Sequence, residues 1–229
     1  MVSGGDDVRR SGGTTWTPSP VGFPDNELLG IWGVSADEVF VVGRQNFAGG
    51  LARAFHGTTG AWTPLLAPEL TDVALLAVSG TTADDAIAVG GGGTILRRSA
   101  TEPTTMLRED SGTTETLRSV WAASATEAFA VGDNGTILHW DGTAWSSMTD
   151  AADPWVGYRL YGVWGSSATK VFAVGDSAML LRYDGTSWRP VTVDVLADLI
   201  AVWGSSASNV FVAADDRSGM ILHRCGSVW

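Results

Sequence analysis

The sequence predicts an all-β chain: a five-bladed β-propeller of four-stranded antiparallel blades, its ring closed by the N-terminal strand. Three observations carry this. A motif Leu-x-x-Val-Trp-Gly-x-Ser-Ala-x-x-Val-Phe-x-Val-Gly begins at Leu28, Leu75, Leu117, Leu160 and Leu199. The second copy is degenerate, with Ser79 where the others carry Trp32, Trp121, Trp164 and Trp203. A second motif, Gly-x-Ile-Leu-His/Arg-aromatic-Asp-Gly-Thr-x-Trp, follows; it is clearest over residues 135–145 and readable over 178–188 and 219–229. The pitch, roughly 40–47 residues, is that of propeller blades. Ahead of the first copy, Thr14-Thr15-Trp16-Thr17-Pro18 reads like the opening of a fourth strand.

Each unit resolves into four short runs, strands a to d. Leu-x-x-Val-Trp, Val-Phe-x-Val, Ile-Leu-His/Arg-aromatic and the segment opening at each late Trp are β-rich and separated by Gly, Asp, Ser and Asn. Asp133-Asn134-Gly135 marks a tight hairpin, because Asn-Gly accepts positive φ at both central positions. Asp141-Gly142-Thr143 and Asp184-Gly185-Thr186 mark the next reversal. The runs are apolar on both faces, as when each sheet packs between two neighbours, so the units must stack. The blades are expected over 28–66, 74–107, 116–149, 159–193 and 198–229, the last completed by residues 14–18, with 1–13 a flexible tail. In this closure Trp16 fills the strand-d slot beside residues 220–224, and Trp229, a second candidate for that slot, is displaced. A ring closed within one chain implies a monomer.

The net charge is −11, which disfavours nucleic acid as a partner. The chain has one cysteine, Cys225, which excludes an intrachain disulfide and reads as a free thiol with no catalytic dyad around it. No run approaches the ~20 apolar residues of a membrane span. Residues 1–13 are polar and lack the apolar segment of a secretory signal, so the protein is read either as cytosolic or as a piece of a longer precursor. Scarce Lys with abundant Gly, Ser, Thr and Trp points to an extracellular or cell-surface protein.

The run from Ala130 through Asp133-Asn134-Gly135-Thr136-Ile137-Leu138-His139-Trp140-Asp141-Gly142-Thr143-Ala144-Trp145 resembles the Asp-box (BNR-like) propeller repeats, in particular those of photosystem II assembly factors of the Ycf48 type. The likeness spans residues 16–229. It implies a propeller in which the box is structural. The box is one residue short between Gly142 and Trp145, and His56 and Cys225 replace its Asp in the first and last blades. A more distant resemblance is to five-bladed lectins of the tachylectin-2 type.

No catalytic or metal constellation is legible, and no cofactor is expected. His56, His139 and His223 fall in three different blades, with His139 and His223 in one repeated register, and read as packing residues rather than ligands of one ion. Asp37, Glu38, Asp84, Asp85 and Glu127 sit in equivalent a–b turns of separate blades, not across one bond. The arginines lack the cluster with which Asp-box sialidases grip a substrate; Arg108 pairs naturally with Glu109 and Asp110, and Arg217 with Asp215 and Asp216. Gly90-Gly91-Gly92-Gly93 leads into a strand and lacks the Lys-Ser/Thr of a phosphate loop. The repeating tryptophans read as blade packing; Trp155 has no repeat partner and is the candidate exposed aromatic.

The copies can be compared within the chain. The a–b and c–d turns are nearly uniform, whereas the b–c loops (44–50, 90–93, 133–134, 176–177, 215–219) and d–a loops (19–27, 67–72, 108–114, 151–159, 194–198) diverge. Binding concentrates on loops free to differ over a rigid scaffold. The candidate ligand-binding residues are therefore Phe23, Arg44, Gln45, Asn46, Phe47, Arg108, Asp110, Trp155, Tyr158, Asp215, Asp216 and Arg217. The function expected is a non-enzymatic module recognising a protein or peptide partner. The alternatives are a lectin with several similar glycan sites, and a hydrolase or lyase at the central channel.

Overall fold

A computed structural model describes residues 7–11, 16–20, 26–45, 49–66, 73–216, 219–226 and 228–229. It is all-β apart from single 3-10 turns, and it divides into two units, residues 1–109 and 110–229.

In the first unit, β1 (Asp7–Ser11) and β2 (Trp16–Pro20) form a two-stranded ladder. Two four-stranded sheets follow. One is the meander β3 (Asn26–Ser35), β4 (Glu38–Gln45), β5 (Gly49–His56) and β6 (Ala61–Pro64). The other is the meander β7 (Leu75–Ser79), β8 (Ile87–Gly90), β9 (Ile95–Ser99) and β10 (Glu102–Glu109). The second unit repeats the pattern with β11 (Leu117–Ser124), β12 (Glu127–Gly132), β13 (Ile137–Trp140) and β14 (Trp145–Ser147). The next sheet is β15 (Leu160–Ser167), β16 (Lys170–Gly175), β17 (Met179–Tyr183) and β18 (Trp188–Pro190). The last has three strands among the described residues: β19 (Asp198–Ser206), β20 (Asn209–Asp215) and β21 (Ile221–Cys225).

The repeated residues have specific packing duties. Phe40, Phe129 and Phe172, the Phe of Val-Phe or Ala-Phe on the second strand of three sheets, are fully buried. Two of the late tryptophans close on the Phe of the preceding sheet: Trp188 stands edge-on to Phe129 at 6.0 Å, and Trp229 edge-on to Phe172 at 5.9 Å. The Trp-Gly pair of the first strand locks one sheet to the next. A Cβ on Gly80 would lie 2.8 Å from the Trp32 ring, one on Gly165 2.5 Å from Trp121, and one on Gly204 2.7 Å from Trp164. Each glycine thus leaves room for the indole of the preceding sheet. The unit that carries Ala122 in the glycine's place is the one that follows Ser79 in the chain.

One N-terminal expectation is corrected. Residues 7–11, read as flexible tail, form β1. The described ladder of Trp16–Pro20 is with Asp7–Ser11, and Trp229 stands to Phe172 as Trp188 does to Phe129. Cys225 bridges to Val228, which brings Trp229 round against Phe172.

The Asp-Gly-Thr turns are built around their carboxylates. Asp141 Oδ1 accepts from the Thr143 N–H and hydroxyl and from the Ala144 N–H at 2.7–3.0 Å, and Asp184 Oδ1 accepts from Thr186 and Ser187 at 3.0 Å. These bonds, the Thr143 hydroxyl foremost, pull the Asp141 pKa down to about 2. A carboxylate whose folded pKa is depressed adds stability that is present above its unfolded pKa near 4 and lost as pH falls through its folded pKa. A carboxyl carbon-13 titration should therefore place the Asp141 midpoint near 2. A midpoint near 4 would show that the turn does not hold the charge.

Candidate functional site

The first strand of each of the five blade sheets carries a β-bulge one residue after the opening leucine of the motif. The register slips between Leu28 and Gly30, Leu75 and Ala77, Leu117 and Ser119, Leu160 and Gly162, and Leu199 and Ala201. A bulge re-aims the residue it inserts. The inserted residues are Leu29, Leu76, Arg118, Tyr161 and Ile200, so one backbone device displays four kinds of side chain.

In the second unit two of these build a polar chain across neighbouring sheets. The Arg118 guanidinium donates to both Asp133 oxygens, at 2.5 and 3.1 Å, and lies 5.6 Å from the Tyr161 ring centre. Tyr161 donates its hydroxyl to Asp176 Oδ1 at 2.6 Å; that bond, with burial, raises the phenol pKa. The other Asp176 oxygen accepts the Arg159 N–H at 2.9 Å. The Arg159 side chain hydrogen-bonds Tyr161, has its Nε 3.9 Å from Asp133, and is 59% exposed. Both aspartates sit on b–c turns with left-handed residues behind them: Asn134 and Gly135 (φ 55° and 68°), and Ser177 and Ala178 (φ 53° and 59°). The Asn-Gly hairpin signal is thus realised with positive φ at both positions.

Beside this chain lies an open groove of about 360 Å³, lined by Thr113, Glu115, Asn134, Thr149, Asp150 and Val156 among others. It runs between the two d–a loops that flank the turn at Asn134.

The structure redistributes the sequence-predicted residues. Phe23, Asn46, Phe47 and Arg217 lie outside the described residues, and with Arg217 the pairing expected of it. Arg44 and Gln45 belong to the β4–β5 ladder, opposite Gly50 and Gly49, and Arg44 is ion-paired to Glu27. Arg108 is also a strand residue, opposite Leu96, and it donates to Thr94 at 3.4 Å; Glu109 is taken by Arg97 at 2.6 Å. Asp110 accepts from the Gly112 N–H in a local turn. Asp215 ends β20 opposite Asp198, and Asp216 accepts the Met220 N–H. The largest correction is Trp155, expected to be exposed and found 4% exposed in the core with Phe129, Val171 and Trp188. The long loop from Asp150 to Arg159 has no counterpart in the repeat because it folds over its own aromatic, as compact self-packed loops do. Tyr158 remains 37% exposed, and its carbonyl accepts the Gly135 N–H at 2.6 Å. The residues missed are Arg118, Arg159, Tyr161, Asp133 and Asp176. For Arg118 and Tyr161 the sequence carried one sign: the position after each opening leucine varies among the copies.

No family model matches the chain, and no curated protein does. Solved structures do. The chain is similar to a Ycf48 bound to a D1 peptide, with 14% identity, a TM-score of 0.68, and 94% of this chain and 70% of that one covered. It is similar to Ycf48 from Cyanidioschyzon merolae at 15% identity, with a TM-score of 0.65 over 91% of this chain and 70% of that one. It is also similar to the WD40 β-propeller domain of Doa1, at 10% identity and a TM-score of 0.64, covering 87% and 65%. At such identities the likeness is one of fold: the sheets are β-propeller blades.

Proposed function

We propose that the chain is a non-enzymatic binding module whose b–c and d–a loop face takes a protein or peptide partner. The observation that carries this is the polar chain ending in the exposed Arg159 beside the open groove. Arg159 offers donors to a partner's carbonyl or carboxylate, while Glu115, Asn134, Thr149 and Asp150 offer acceptors to its N–H groups. Tyr158 supplies an exposed aromatic of the kind that anchors interfaces. The similar Ycf48 structure with a peptide bound supports the reading, since it shows a propeller of this build occupied by a peptide.

The test is selection from a displayed random-peptide library, followed by titration of the selected peptides. Arg159→Gln and Tyr158→Ser should each weaken binding roughly tenfold, about 1.4 kcal/mol. Arg189→Gln, a substitution at an exposed strand residue outside the groove, should leave it unchanged. Equal affinity across all three variants, or a protein that selects no peptide but binds a glycan array, would overturn the proposal.

A further inference from the structure

At the other end of the second unit, where the a–b and c–d turns lie, a cavity of about 570 Å³ opens between the last two blades. It is lined by Lys170, Arg182 and Arg224 and by serines of both a–b turns, among them Ser166, Ser205 and Ser208. Among the described residues none of these three cations has an ion-pair partner.

The repeat shows what belongs here. In the blade before, His139 meets Glu127 at 2.7 Å; in the blade after, His223 meets Asn209 at 2.7 Å. The ladders place Lys170 and Arg182 at these same two positions, since Phe129 opposes His139, Phe211 opposes His223, and Phe172 opposes Arg182. Two cations thus stand where neighbouring blades hydrogen-bond. The contact between blades is altered in the same sense. In the first unit Arg98 stacks over Phe40 of the preceding blade at 5.4 Å, caps the Ala83 carbonyl and reaches Glu38 at 3.6 Å. Arg224 repeats this over Phe172 at 5.6 Å and caps the Ala207 carbonyl, but the position of Glu38 is occupied by Lys170. The chain's single lysine therefore replaces an acid that would have served both Arg182 and Arg224. Burial, and then the charge of Arg182, lower the Arg224 pKa, as crowding of like charges requires.

We propose that this cavity is an anion site for sulfate or phosphate, the phosphate free or as a monoester. Lys170 and Arg182 bind the oxyanion, Arg224 supports them from the cavity wall, and the turn serines supply hydroxyl donors. A dianion neutralises two of the three charges where a carboxylate neutralises one, and the cavity has the size of small-ligand sites. A basic pocket on a chain of net charge −11 also concentrates anions where the rest of the surface repels them.

Isothermal titration of the full chain with inorganic phosphate, sulfate, glucose 6-phosphate and acetate tests this. Phosphate and sulfate should bind saturably and at least tenfold more tightly than acetate, and Arg182→Gln should weaken both at least tenfold. Lys170→Glu rebuilds the acid of the repeat, so it should abolish anion binding while keeping or raising the melting temperature. Tighter binding of glucose 6-phosphate than of inorganic phosphate assigns the site to an ester, and the reverse order to the free anion. Absence of saturable binding at millimolar phosphate, or equal binding by wild type and Lys170→Glu, overturns the proposal.

Discussion

Trp155→Ala should destabilise the second unit by about 3–5 kcal/mol, the cost of removing a large aromatic from a close-packed core. The indole is 4% exposed among Phe129, Val171 and Trp188, and its own backbone supports the b–c turn, since a Cβ on Gly135 would lie 2.4 Å from the Trp155 carbonyl oxygen. Its buried indole N–H has no acceptor among the described residues. Trp155→Phe should accordingly cost under about 1.5 kcal/mol, because it keeps most of the volume and removes an unsatisfied donor. Urea unfolding followed by circular dichroism measures both. A Trp155→Ala protein of wild-type stability would return the residue to the surface, where the absence of a repeat partner had suggested it should be.

Gly175→Ala should cost about 2–3 kcal/mol and weaken peptide binding as well. A Cβ there would fall 2.0 Å from the Arg159 carbonyl oxygen, a backbone atom that cannot rotate aside. The same clash recurs at Gly43, Gly90 and Gly132, against the residue before the opening leucine in each case. Relief requires shifting Arg159, whose carbonyl accepts the Asp176 N–H at 3.0 Å and whose own N–H binds the Asp176 carboxylate. The substitution therefore links stability to the candidate site. In the last blade the position is naturally Ala214, so Ala214→Gly should be close to neutral. A Gly175→Ala protein that melts with the wild type, or one that loses stability but binds peptide unchanged, would separate the glycine from the site.

The blade pattern was legible in the sequence because its determinants are local and repeated. The Asn-Gly turn, the Asp-Gly-Thr turns and the Val-Phe strands each impose their geometry within a few residues, and the copies confirm one another. The Trp-Gly pair was visible as a repeat, but its reason was not, because the indole of one blade fills the glycine of the next. The site was half legible. Divergence drew attention to the loops carrying Tyr158 and Asp110, yet the same criterion selected Trp155, whose lack of a counterpart reflects a loop that supplies its own core. Arg118 and Tyr161 escaped notice because they sit inside the regular motif, and only the bulge shows that their position is displayed rather than buried. Lys170 escaped because a charge reversal is informative only against the pairs it breaks, and those span strands and blades.

The most direct test of the account is a backbone amide chemical-shift map of the protein with a library-selected peptide bound. The proposed face predicts the largest shifts at Asn134, Gly135, Tyr158, Arg159 and Asp176, with little change at Lys170 or at residues 205–208 on the opposite turns. Shifts confined to those opposite turns, with Tyr158 and Arg159 unmoved, would contradict it.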